Sequence, residues 1–143
     1  MLFHRLSLEA FCHATEDLSK VKGALLNLLP PEAAKSAGFK EQKLEGSFGN
    51  EITIVRLELG KQGDMGKAIE WFKESLPKED VEDFNVDEHV TDDGEFWMRF
   101  DKQEAYGGKI VLGGQDTIQL KGKVAAFPAG RERALALMEE FWG

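Results

Sequence analysis

Only one of the 143 residues is cysteine, Cys12. A single thiol closes no intramolecular disulfide and builds no thiolate cluster, so a reducing, cytoplasmic setting is expected. Histidine is nearly as scarce: His4, His13 and His89 are scattered without the close ligand spacing of a zinc site. Cys12 stands beside His13, but adjacent residues on a strand point to opposite faces and do not pair as nucleophile and base. Long apolar runs are also missing. They reach only a handful of residues, against the roughly 20 that span a bilayer, so no membrane segment is expected. The opening "MLFHRLSLEAFCHATED" interrupts its apolar residues with His4, Arg5, Ser7 and Glu9, unlike an export signal. "GKQGDMGKA" fails as a phosphate loop: Gly60 to Gly66 is one residue too long, and Ala68 stands where a magnesium-binding hydroxyl is needed. The acidic residues show no EF-hand spacing. No catalytic residue, metal site or cofactor is expected.

Positive charge is short as well. The formal net charge is −8, which argues against a general polyanion binder. The distribution of that charge matters more than its sum. Residues 78–95 hold nine acids against the single Lys78, a local balance of −8, so the rest of the chain is neutral. A basic patch elsewhere on the surface is therefore compatible with the overall acidity. The acidic stretch reads as a solvated short helix and loop.

At this length the chain forms one domain, residues 1–143, that buries roughly two thirds of its unfolded surface without staples. Residues 2–12 alternate as a half-buried strand, with Leu2, His4, Leu6, Leu8, Ala10 and Cys12 on one side. Thr15, Glu16 and Asp17 open a helix whose stripe runs through Leu18, Val21, Leu25 and Leu28 to Pro30 and Pro31. "FKEQKLEGSF" and "EITIVRLEL" flank Gly49 and Asn50 as a hairpin. Asp64 is expected to cap a helix striped by Met65, Ala68, Ile69, Phe72 and Leu76. "GEFWMRF", "GKIVLGG" and "DTIQLKGKVAAF" read as three further strands, and a terminal helix follows Pro128 through Ala134, Leu137, Met138 and Phe141.

Half-apolar alternation together with a hairpin favours an α+β domain of two layers, a mostly antiparallel sheet with helices packed on one face. The uncovered face then collects Phe3, Arg5, Phe11, Arg56, Trp97, Arg99, Gln119, Lys121 and Lys123. Cations with interleaved aromatics suit RNA, since bases stack on rings while ammonium and guanidinium groups neutralise phosphates. In "DKQEAYGG" Asp101 caps a short helix with Glu104 at the reciprocal position, and Lys102 and Gln103 fall in its first turn, where free backbone N–H groups favour anions. The competing reading is a protein-interaction or dimerisation module, in which the same aromatic face and exposed strand edges bind another subunit.

The strings "HRLSLEAFCHATEDLSKVKGALLNLLP" and "RFDKQEAYGGKIVLGGQDTIQLKGKV" resemble an archaeal family of small RNA-binding proteins described as exosome subunits. The most specific part is Arg99 to Gln103 with the Asp116 that follows; "HATED" is the second anchor. The resemblance implies a fold like the large-subunit ribosomal protein that docks the 5S RNA, a non-enzymatic role in RNA processing, and exosome or ribosome-associated partners. It supplies no set of site residues. On chemistry, Arg5, Arg56, Arg99, Lys102, Lys121 and Lys123 are the phosphate contacts, Gln103 bonds a base or sugar, and Trp97 stacks.

Overall fold

The computed structural model describes residues 1–45 and 49–143. The chain runs β1 (Phe3–His13), α1 (Leu18–Asn27), α2 (Pro31–Ser36), β2 (Gly38–Glu45), β3 (Glu51–Glu58), α3 (Gln62–Ser75), α4 (Lys78–Asp83), a 3₁₀ turn (Val86–His89), β4 (Glu95–Asp101), α5 (Lys102–Tyr106), β5 (Thr117–Val124) and α6 (Arg131–Trp142). The strands form one antiparallel sheet in the order β2-β3-β1-β5-β4. Among the described residues, no helix is long and apolar enough to cross a membrane.

Period-2 alternation decides the two faces. Leu6, Leu8, Ala10 and Cys12 of β1, Val55 and Leu57 of β3, Phe96, Met98 and Phe100 of β4, and Ile118 and Leu120 of β5 all point into the core. The helices cover that face, with Val21 and Leu25 of α1, Ile69 and Phe72 of α3, and Ala134 and Met138 of α6 buried against it. The opposite face is left open to solvent, as the alternation predicts.

Four local expectations need correcting. Phe3 belongs to the core, fully buried, while His4 is exposed. The pairing with β5 slips between Phe3 and Arg5, a bulge that places an extra residue in β1 and turns Phe3 to the other side. Gly122 makes room for it: a Cβ there would lie 2.8 Å from the Phe3 ring and 2.6 Å from Leu6.

"GKIVLGG" is not a strand. It meets β4 through a single bridge, Leu112 to Phe100. Gly108, Gly113 and Gly114 all take positive φ, which breaks the extended path at both ends of the segment. The cap of α1 is Asp17, which accepts the Ser19 N–H, and Thr15 lies in the preceding turn. Asp64 sits inside the first turn of α3, whose N-cap is Lys61. Its carboxylate accepts the Ser36 hydroxyl at 2.8 Å and so ties α2 to α3. The hairpin is present, with Glu45 opposite Glu51, although residues 46–48, expected at the end of its first strand, lie outside the described residues.

Candidate nucleic-acid interface

The strand register assembles the open face row by row. One row across all five strands reads Lys40, Arg56, Glu9, Gln119, Arg99. The next reads Gly38, Glu58, Ser7, Lys121, Trp97, and the third sets Arg5 beside Lys123 and Glu95. These rows carry six cations against three carboxylates in a chain of net charge −8. The face is therefore a local positive field.

The cations differ in how far they are committed. Arg56 forks onto Glu9, with nitrogen-to-oxygen distances of 3.0 and 2.7 Å, and Lys40 lies 3.3 Å from Glu58. Lys123 donates to the Asp93 carbonyl. Arg5, Arg99 and Lys121 make no ion pair or side-chain hydrogen bond among the described residues. Two adjoining concavities occupy the surface. One, of about 290 Å³, is lined by Arg5, Ser7, Glu9, Arg56, Lys121 and Lys123, and the other, of about 300 Å³, by Glu9, Phe11, Arg99, Asp116 and Gln119. Glu9 and Gln119 border both, so together they form one trough. The Phe11 ring stands at its edge, 47% exposed.

Lys102 is not on this surface. Its side chain is fully buried, and its ammonium donates to the Phe11 carbonyl at 2.8 Å and to Glu16 at 2.9 Å and lies 2.7 Å from Asp116. An ammonium taken out of water needs such partners, and a phosphate would have to break all three contacts to reach it. Asp101 does cap α5, accepting the Glu104 N–H at 3.1 Å, as the capping pattern predicts. The cap aims Lys102 inward and leaves Gln103 exposed on the helix, off the strand face.

The same network unites the two strings that carried the sequence resemblance. Glu16, from "HATED", accepts the His13 backbone N–H at 3.1 Å and the Tyr106 hydroxyl at 2.7 Å as well as the Lys102 ammonium. Burial by itself raises the Glu16 pKa, but these donors outweigh it and hold the carboxyl at about 2. Burial and the neighbouring Glu16 carboxylate push the Tyr106 hydroxyl and the Cys12 thiol upward. Ligand atoms of His13, Glu16 and Asp116 lie within 4.8 Å of one another, a spacing that would suit a metal ion. The Lys102 ammonium already bridges Glu16 and Asp116, so the cluster has its cation.

Trp97 is on the open face but is stacked within the protein. Its ring lies 4.3 Å from His89, which lies 4.1 Å from Phe84, which lies 4.5 Å from Trp142. The Arg99 guanidinium sits over the indole at 4.9 Å. This ladder wraps the acidic stretch around the β4 edge and leaves Trp97 less ring surface for a base than Phe11 has. Lys40 is a face cation that the sequence reading did not select; the alternation in "FKEQKLE", set in register with Arg56, is the signal that identifies it.

The family model described as RNA binding matches residues 5–124. RNA-binding protein PAB1135 of Pyrococcus abyssi is 37% identical over 142 residues, covering 96% of this chain and 92% of that protein. Among solved structures, Mth689 of Methanothermobacter thermautotrophicus, a DUF54 protein, superposes with a TM-score of 0.77 at 30% identity and full coverage of both chains. Protein AF2318 of Archaeglobus fulgidus superposes with a TM-score of 0.80 at 26% identity, covering 97% of this chain and 99% of that one. By this match, over most of its length, the chain belongs to the RNA-binding family.

Proposed function

We propose that the protein binds RNA in the trough on the open face of its sheet, as a non-enzymatic accessory to an RNA-processing or exosome-type assembly. The observation that carries this reading is the set of cations without an ion pair, Arg5, Arg99 and Lys121, along a trough with the exposed Phe11 ring at its edge, on a face whose charge opposes that of the whole chain. The three cations serve phosphates, Phe11 offers a stacking surface, and Gln119 between the two concavities supplies amide donors and an acceptor to a base or sugar. Family membership supports the ligand class. Arg56 and Lys123 are secondary contacts, since each must leave an internal partner to bind phosphate.

The test is a titration of labelled single-stranded and structured RNAs at several salt concentrations, comparing wild type with Arg5→Ala/Arg99→Ala/Lys121→Ala. Each lost phosphate contact on a single strand makes the log–log salt slope shallower by about 0.7, so the triple variant should bind more weakly with a slope reduced by about 2. A Phe11→Ala variant should lose affinity with the slope unchanged, because stacking releases no counterions. Absence of binding at low salt, or a triple variant indistinguishable from wild type, would overturn the reading and leave the protein-interaction module in its place.

A further inference from the structure

The two edges of the sheet are finished differently. The outer edge of β4 is occupied: Val90 bridges to Phe96, Leu112 bridges to Phe100, and the Asp101 N–H and Arg99 carbonyl bond to Val111 and Gly113. At the other edge, β2 has no covering segment among the described residues. Seven of its eight residues, all but Phe39, are exposed, and the strand contains no proline and no bulge. Such an edge is a template for another strand.

Register identifies which groups are free. The Leu59 N–H donates to Leu6, so the odd residues of β3 spend their backbone groups on β1 and the even ones on β2. The even residues of β2 therefore bond inward to β3. Phe39, Glu41 and Lys43 turn their N–H and C=O groups outward. An added antiparallel strand must pair with these odd positions.

We propose that the edge binds a second copy of this chain, β2 against β2, to make a continuous ten-stranded antiparallel sheet. Charge selects one register. With Gln42 opposite Gln42 of the second copy, each Glu41 faces a Lys43 across a hydrogen-bonded pair, twice by symmetry, and each Leu44 lies beside the stem of a Lys40. Moving the two-fold axis by one residue toward either end sets Glu41 against Glu41 or Lys43 against Lys43. The selected register keeps Lys40, Gln42 and Leu44 of both copies on one side, so the two open faces join. The half-exposed Leu44, paired with Ile52 at the free end of the face, then gains cover.

The experiment is sedimentation equilibrium over a wide concentration series, without RNA, on wild type, Glu41→Lys, Lys43→Glu and the double reversal. Wild type should dimerise, each single reversal should weaken the dimer by at least about tenfold, and the double variant should recover it. Glu41→Lys also loses an ion pair with Lys22, so Lys43→Pro is the control: it deletes an outward N–H that the hairpin does not use and should give a folded monomer by circular dichroism. Wild type that stays monomeric throughout, or a dimer indifferent to the reversals and to proline, would overturn the proposal. Because no RNA is present, either result leaves the RNA-binding reading to its own test.

Discussion

The Lys102 side chain is closed off from solvent, and three oxygens around its ammonium make that tolerable. Replacing it with methionine keeps the length of the stem and leaves Glu16 and Asp116 facing each other without a cation. The expected cost is about 3–5 kcal/mol, read from urea unfolding of Lys102→Met against wild type. A loss below about 1 kcal/mol would show that the pair is solvated. The pH dependence follows from Glu16, whose folded pKa of about 2 lies below its ordinary 4.5. A depressed carboxyl contributes stability above the unfolded value and loses it as pH falls through the folded one. Wild type should therefore lose more stability than Glu16→Gln between about pH 4.5 and pH 2, measured as the difference between the two chemical-denaturation curves. The sequence showed the helix cap that positions Lys102 but not the direction of its side chain. Its partner Glu16 is 86 residues away, and a capping pattern describes only one turn of chain.

The elements themselves were largely legible, because alternation and 3.6-residue stripes are enforced along the whole of a strand or helix. Phe96, Met98 and Phe100 face inward as the alternation predicts, and the α3 stripe of Met65, Ala68, Ile69, Phe72 and Leu76 is buried throughout. What escaped were single-residue events. The bulge near His4 reverses one side chain, and no pattern of period two records an insertion of one. "GKIVLGG" has strand composition at its centre, but its positive-φ glycines admit only a bridge. The bulge and Gly122 act together, since the inward Phe3 ring takes the space that a side chain at residue 122 would fill. Gly122→Ala forces a methyl to within 3 Å of both Phe3 and Leu6, and overpacking of this kind costs about 1–3 kcal/mol. Thermal unfolding reads it directly. A melting temperature equal to that of wild type would mean that the Phe3 end of β1 yields freely.

On the scale of the whole molecule, the separation of charge is the property that governs approach of a polyanion. The open face was partly legible in the sequence, since alternation nominated Arg5, Arg99 and Lys121, but commitment of each cation is set by neighbours on other strands. The acidic stretch is held beside that face by Arg131, which bonds Asp87 at 2.8 Å, and by the aromatic ladder from Trp97 to Trp142. Asp80, Asp83 and Glu88 line a concavity of about 400 Å³ that also reaches Trp97 and Arg99, so the carboxylates border the end of the trough. RNA lying on Arg99 would feel them within a Debye length, about 10 Å at 0.1 M salt. Asp80→Asn/Asp83→Asn/Glu88→Gln removes three charges without shortening any side chain. On the proposed reading it should raise RNA affinity several-fold at low salt, with the gain shrinking as salt screens the repulsion. Arg99→Ala in the same background should remove part of the gain, because Arg99 holds the strand nearest the acids. A loss of affinity in the triple variant would mean that the carboxylates accept hydrogen bonds from bases, and that the acidic stretch is part of the binding surface rather than its boundary.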